Sequence, residues 1–117
     1  MTAPVFAHHS FTAEFDIRQP VTLTGVVKQV DWINPHVQMY MDVTDENAHV
    51  TTWQIESWSP GLIHLIGLKK EKLSMGTSIK IYAFRAKDGT RNFAYLRHIW
   101  LPDGTDFLLL SDNIPGE

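Results

Sequence analysis

Apolar residues recur at every second position through most of this chain, the period of a strand with one buried face. Val21, Leu23, Gly25 and Val27 alternate with Thr22, Thr24, Val26 and Lys28, which predicts a long first strand running to about Trp32. Gly25 inside it predicts a bulge or sharp bend, as strongly coiled small barrels require. Asn34-Pro35 interrupts the pattern, because proline has no N–H to donate and Asn favours turns. A second strand follows from His36 to Val43, with Val37, Met39 and Met41 on one face and His36, Gln38, Tyr40 and Asp42 on the other. After the polar loop Thr44-Asp45-Glu46-Asn47-Ala48, a third strand spans about His49 to Glu56, with Trp53 and Ile55 on one side.

The period then changes. Ser59-Pro60-Gly61 reads as a helix start, with Ser59 as cap and Pro60 at the first helical position. Leu62, Ile63, Leu65 and Ile66 form an apolar stripe, and Gly67 is a C-terminal stop. So short a helix needs a sheet to pack on. Alternation returns at Ile79, Ile81 and Ala83, and Lys87-Asp88-Gly89-Thr90 is a hairpin turn. A fifth strand covers about Phe93 to Leu101. Pro102-Asp103-Gly104-Thr105 is another turn, and Phe107-Leu108-Leu109-Leu110 a short terminal strand.

Three strands, one short helix and two or three further strands is the order of an OB-type five- to six-stranded Greek-key barrel, whose helix lies between strands 3 and 4. An SH3-like or lipocalin-like barrel has a similar strand count, but neither explains a helix at that point.

Composition narrows the function classes. The 117 residues suffice for one domain, and 44% apolar with 20% charged residues is globular rather than disordered composition. A net charge of −3 with scattered Lys and Arg argues against a nucleic-acid partner. There is no cysteine, which excludes disulfides, thiolate metal sites and cysteine nucleophiles. No apolar run approaches the ~20 residues of a membrane helix. Val5-Phe6-Ala7 reads as the small-residue end of an export signal, so residues 1–7 are expected to be a residual leader and 8–117 the single mature domain.

The histidines carry the candidate chemistry. With His8 as the free terminus, its amine and imidazole together with a nitrogen of His9 or His36 would form a site for copper or zinc. Adjacent histidines in an extended chain point to opposite sides, so His8 and His9 share one ion only across a bend. The plain alternative is an ordinary chain terminus. His36, after Asn34-Pro35, is either a structural residue bonded to a backbone carbonyl or a ligand contact, metal ligand or general base. Glu56 is either a solvated rim acid near the helix start or the partner that orients His36. Trp32, Trp53, Trp58 and Trp100 serve first as core and rim packing, with room for one or two on a binding surface. Trp32, Asn34, His36, Glu56 and Trp58 form the candidate ligand-binding set. His49, His64 and His98 lack partner spacing.

The combined motifs resemble an exported bacterial family, domain of unknown function 6152. The matching residues are Ala7-His8-His9-Ser10-Phe11, Glu14-Phe15-Asp16, Val21-Thr22-Leu23-Thr24-Gly25, Trp32 with Asn34-Pro35-His36, Asp42-Val43, Trp53, Glu56, Ser59-Pro60, Ala86-Lys87-Asp88-Gly89 and Leu101-Pro102-Asp103-Gly104. The resemblance runs from Ala7 to about Phe107, with Ile33 and Trp58 as departures inside otherwise typical motifs. It implies export to the periplasm, a small β-barrel and no established activity.

Three function classes follow. The first is a periplasmic binding domain for a metal or small ligand through His8, His9 and His36. The second is a small acid–base enzyme using His36 and Glu56, although no nucleophile elbow, phosphate loop or HExxH helix is present. The third is an interaction domain of an envelope complex. Its hint is the apolar tail from Phe107, which would pair with a barrel edge or with a second copy in a homodimer.

Overall fold

A computed structural model describes residues 14–110. Six strands, β1 (Phe15–Asp31), β2 (Gln38–Thr44), β3 (Val50–Glu56), β4 (Ser78–Ala86), β5 (Phe93–Trp100) and β6 (Asp106–Leu108), form one sheet. A short α-helix, α1 (Pro60–Leu65), and a 3-10 turn (Lys70–Leu73) lie between β3 and β4. Neighbours pair antiparallel in the order β3-β2-β1-β4-β5-β6, and a parallel β3–β5 pairing closes the ring. The closed all-β sheet with its helix after the third strand is as expected, and its strand order is compatible with an OB-type barrel. β5 divides its free edge: Phe93 to Tyr95 pair with β3, and His98 to Trp100 pair with β6.

The alternation read from the sequence is the alternation of burial. Val27, Met39, Met41, Ile55, Ile81, Ala83 and Ile99 fill the barrel interior. Burying each large aliphatic side chain of this kind contributes ~1.5–3 kcal/mol. The bulge anticipated at Gly25 falls instead between Val27 and Gln29, where the β1–β2 register shifts. Gly25 keeps regular pairing with Ile79 on β4. Its role is close approach, because a Cβ there would land on the carbonyl oxygen of Asp42 in β2. β1 also begins earlier than its alternation suggests. Between Phe15 and Pro20 its register against β4 slips, and Asp16 braces the slip by accepting from the Arg18 backbone N–H at 2.9 Å and the Gln19 amide at 3.0 Å.

α1 is short and depends on its ends and its packing. Ser59 Oγ accepts from Leu62 N–H, and Pro60 opens the helix without wasting a donor. At the far end Gly67 adopts φ +99°, and its N–H and that of Leu68 reach back to His64 and Ile63 carbonyls. That is a Schellman stop, with Ile63 and Leu68 both buried. β6 and the residue after it supply further core contacts: Phe107 packs against the core and Leu109 is fully buried. The apolar tail thus pairs with the β5 edge.

A second apolar cluster of Phe15, Phe84, Ala86 and Tyr95, with Trp58, Tyr82 and Phe93 against it, is separate from the main core. Phe84 and Tyr95 are cross-strand partners, and Phe15 lies against Tyr95 with ring centroids 5.1 Å apart.

A candidate site at the junction of β2, β3 and β5

The loop between β1 and β2 delivers His36 to the end of β3. Asn34–Pro35 is a cis peptide. Just beyond it, Val37 N–H donates to the Trp58 carbonyl at 2.9 Å and Val37 C=O accepts from Ser57 N–H at 3.0 Å. Because Gln38 also pairs with Glu56 across the β2–β3 ladder, His36 and Glu56 are forced together. His36 Nδ1 lies 2.8 Å from Glu56 Oε2, with the Glu56 side chain 13% exposed and the His36 side chain 31%. Of the two arrangements open for Glu56, the one found sets it against His36.

The carboxylate is held from its other side too. Gln38 Nε2 donates to Glu56 Oε1 at 3.1 Å, and Gln54 Nε2 donates to Gln38 Oε1 at 2.9 Å. Glu56 pairs in parallel register with Tyr95 of β5, whose ring meets the His36 ring edge-on with centroids 6.3 Å apart. With Nδ1–H donating to Glu56, a neutral His36 carries its lone pair on Nε2, the nitrogen that accepts a proton or ligates a metal.

The other predicted residues divide. Trp58 packs against both apolar clusters; its Nε1–H is buried with no acceptor among the described residues. Trp32 turns inward instead. It lines an interior gap of about 10 Å³ with Val37, Ile63 and Leu68, and Lys70 Nζ lies 5.8 Å from its ring centroid. That gap holds a single water at most. Asn34 is exposed in its turn. His8 and His9 lie outside the described residues. Among the described residues no three His, Asp or Glu side chains gather as a metal site.

Two features escaped sequence reasoning. One is the Gln38–Gln54 relay. The 45–48 turn pairs Thr44 with Val50, and counting back along that register puts Gln38 opposite Glu56, so the signal was present. The other is a further close histidine–carboxylate contact, His98 Nε2 to Asp106 Oδ2 at 2.7 Å. Trp100 and Asp106 are cross-strand partners in the β5–β6 hairpin, which makes His98 and Asp106 diagonal neighbours. The His98 ring stacks on Trp100 at 3.9 Å and 11°.

Fold and site define a small closed β-sheet protein with a histidine–carboxylate pair on its outer surface. The chain belongs to the family described as Family of unknown function (DUF6152), whose model matches residues 1–94. His36 and Glu56 fall within that match, whereas the stretch at 101–104, the rest of β5 and all of β6 fall beyond it. No curated protein and no solved structure matches the chain. Among the described residues no helix is long and apolar enough to cross a membrane.

Proposed function

We propose that this protein is an exported, periplasmic binding domain that takes a divalent transition metal, copper or zinc, at His36 with the N-terminal histidines His8 and His9. The observation that carries this reading is the 2.8 Å bond between His36 Nδ1 and Glu56. A carboxylate on one ring nitrogen orients the imidazole and raises the basicity of the other, the support that metal-bound histidines ordinarily have. His36 alone is a weak ligand, so the site needs further nitrogens. The chain supports their arrival: Phe15 packs on Tyr95, and Tyr95 contacts the His36 ring. His9 precedes Phe15 by six residues, a reach of ~20 Å when extended. If His8 is the mature terminus, its amine and imidazole complete a nitrogen-rich donor set suited to copper above zinc.

The test is calorimetry with copper and zinc on protein whose first residue is His8, beside its His36→Ala variant. Tight one-to-one binding that falls sharply in the variant is the expected result. Binding indifferent to His36 would refute the reading. An acid–base role for the same pair is the second reading, favoured by the low exposure of Glu56; it predicts chemistry that persists after chelation of metal.

A further inference from the structure

The relay behind Glu56 has a direction, and that direction selects what His36 offers to a ligand. As a carboxylate, Glu56 only accepts hydrogen bonds, so Gln38 must turn its NH2 toward Oε1. The Gln38 carbonyl oxygen then faces Gln54, which must in turn present its own NH2. One orientation of both amides satisfies the whole chain, and it leaves both Glu56 oxygens engaged, one by Gln38 and one by His36 Nδ1. The three residues share one face of the β2–β3 ladder, where Gln38 is opposite Glu56 and Gln54 lies two residues before Glu56, diagonal to Gln38. The ladder thus holds them in place independently of any ligand.

We propose that Gln38 and Gln54 are positioning residues that lock His36 in its Nδ1–H tautomer, so that the site presents an electron pair and selects electron-pair acceptors, a metal cation above all. Free imidazole in a side chain favours the opposite tautomer, with the proton on Nε2. The lock therefore works against intrinsic preference, and its strength rests on how firmly Glu56 is held. Loosening Gln38 frees Oε1 and lets the carboxylate swing from Nδ1. Loosening Gln54 frees Gln38 to rotate and acts one step further away. The consequence for specificity rests on the metal reading above; the tautomer lock does not.

The experiment is 15N NMR of the imidazoles in metal-free protein near neutral pH, in the wild type and in Gln38→Met and Gln54→Met. These variants keep side-chain length and remove the amides; thermal melts check that they fold. We expect Nδ1–H to dominate at His36 in the wild type. The Nδ1–H to Nε2–H ratio should fall roughly fivefold in Gln38→Met, as loss of one hydrogen bond implies, and by less in Gln54→Met. His98 should not respond. A wild type with the proton on Nε2, or an unchanged ratio in Gln38→Met, overturns the proposal. A ratio unchanged only in Gln54→Met overturns that residue's part in it. Zinc added to the same samples separates the two readings, because the lock can hold in a protein that binds no metal.

Discussion

Two of the three histidine–carboxylate pairs among the described residues are close contacts, and they are built differently; the third, His49 with Asp45, is exposed and 3.7 Å long. At the β2–β3 junction the carboxylate is largely buried, held by a glutamine relay, and bonded to Nδ1. At the β5–β6 hairpin the carboxylate is half-exposed and bonded to Nε2. There the ring lies flat on Trp100, over which Lys80 Nζ sits at 5.2 Å. With a neutral ring, each of these contacts would leave the lone pair on the opposite nitrogen: Nε2 at His36 and Nδ1 at His98. Nε2 is the outer tip of a histidine, whereas Nδ1 is crowded by its own backbone. The first pair is suited to meeting a ligand. The second ties the three residues of β6 to the sheet. Spacing along the chain does not separate these roles; the nitrogen engaged and the depth of the acid do.

The largest expected effect comes from Gly25, where β1 approaches β2 too closely for a Cβ. Gly25→Ala would push a methyl into the Asp42 carbonyl and part β1 from β2, the strand carrying Gln38. A cost of about 3 kcal/mol is expected from such overpacking. A thermal melt checks it, and an unchanged midpoint would mean that the two strands are less tightly apposed than described.

Next comes the contrast between the acids. Glu56→Ala leaves Gln38 and His36 without their acceptor in a poorly hydrated place, at ~1–3 kcal/mol. Asp106→Ala removes an exposed pair worth ~0–1 kcal/mol. Urea unfolding of both variants measures the difference. Equal losses would erase the distinction between the pairs.

The smallest effect concerns pH on the β6 side. Asp103, in the turn before β6, accepts from Lys72 Nζ at 2.7 Å and from the backbone and hydroxyl of Thr105. The Lys72 bond foremost, then those from Thr105, holds its carboxyl well below the usual carboxylate range. A carboxyl depressed on folding adds stability at pH values above its ordinary pKa, roughly 4, and loses it as pH falls below that. Asp103→Asn should therefore be slightly less stable than wild type at neutral pH, with the gap closing as pH drops below about 4. A gap that widens in acid would contradict the assignment. Asp16, depressed chiefly by Arg18, follows the same sign at the start of β1.

Much of the fold was legible because burial follows period 2 so closely. Met39, Met41, Trp53 and Ile55 all point inward as their alternation demands. The helix stops were legible too, since Ser59, Pro60 and Gly67 have few other uses in that order. Bulges were not: the slips after Phe15 and after Val27 depend on how two strands fit together, and Gly25 marks a close approach of β1 to β2 rather than the bulge. The His36–Glu56 contact could be imagined from residue types alone, but meeting required the register that sets Gln38 against Glu56. His98 and Asp106 were passed over because they lie diagonally, a relation set by hairpin register rather than by spacing.

The comparison meets its most direct test in a zinc titration of 15N-labelled protein beginning at His8, with both imidazoles observed together. A large shift at His36 Nε2 is expected, saturating at one equivalent, while His98 stays bonded to Asp106 and unmoved. Zinc that perturbs His98 first, or leaves His36 unchanged at saturation, would contradict it.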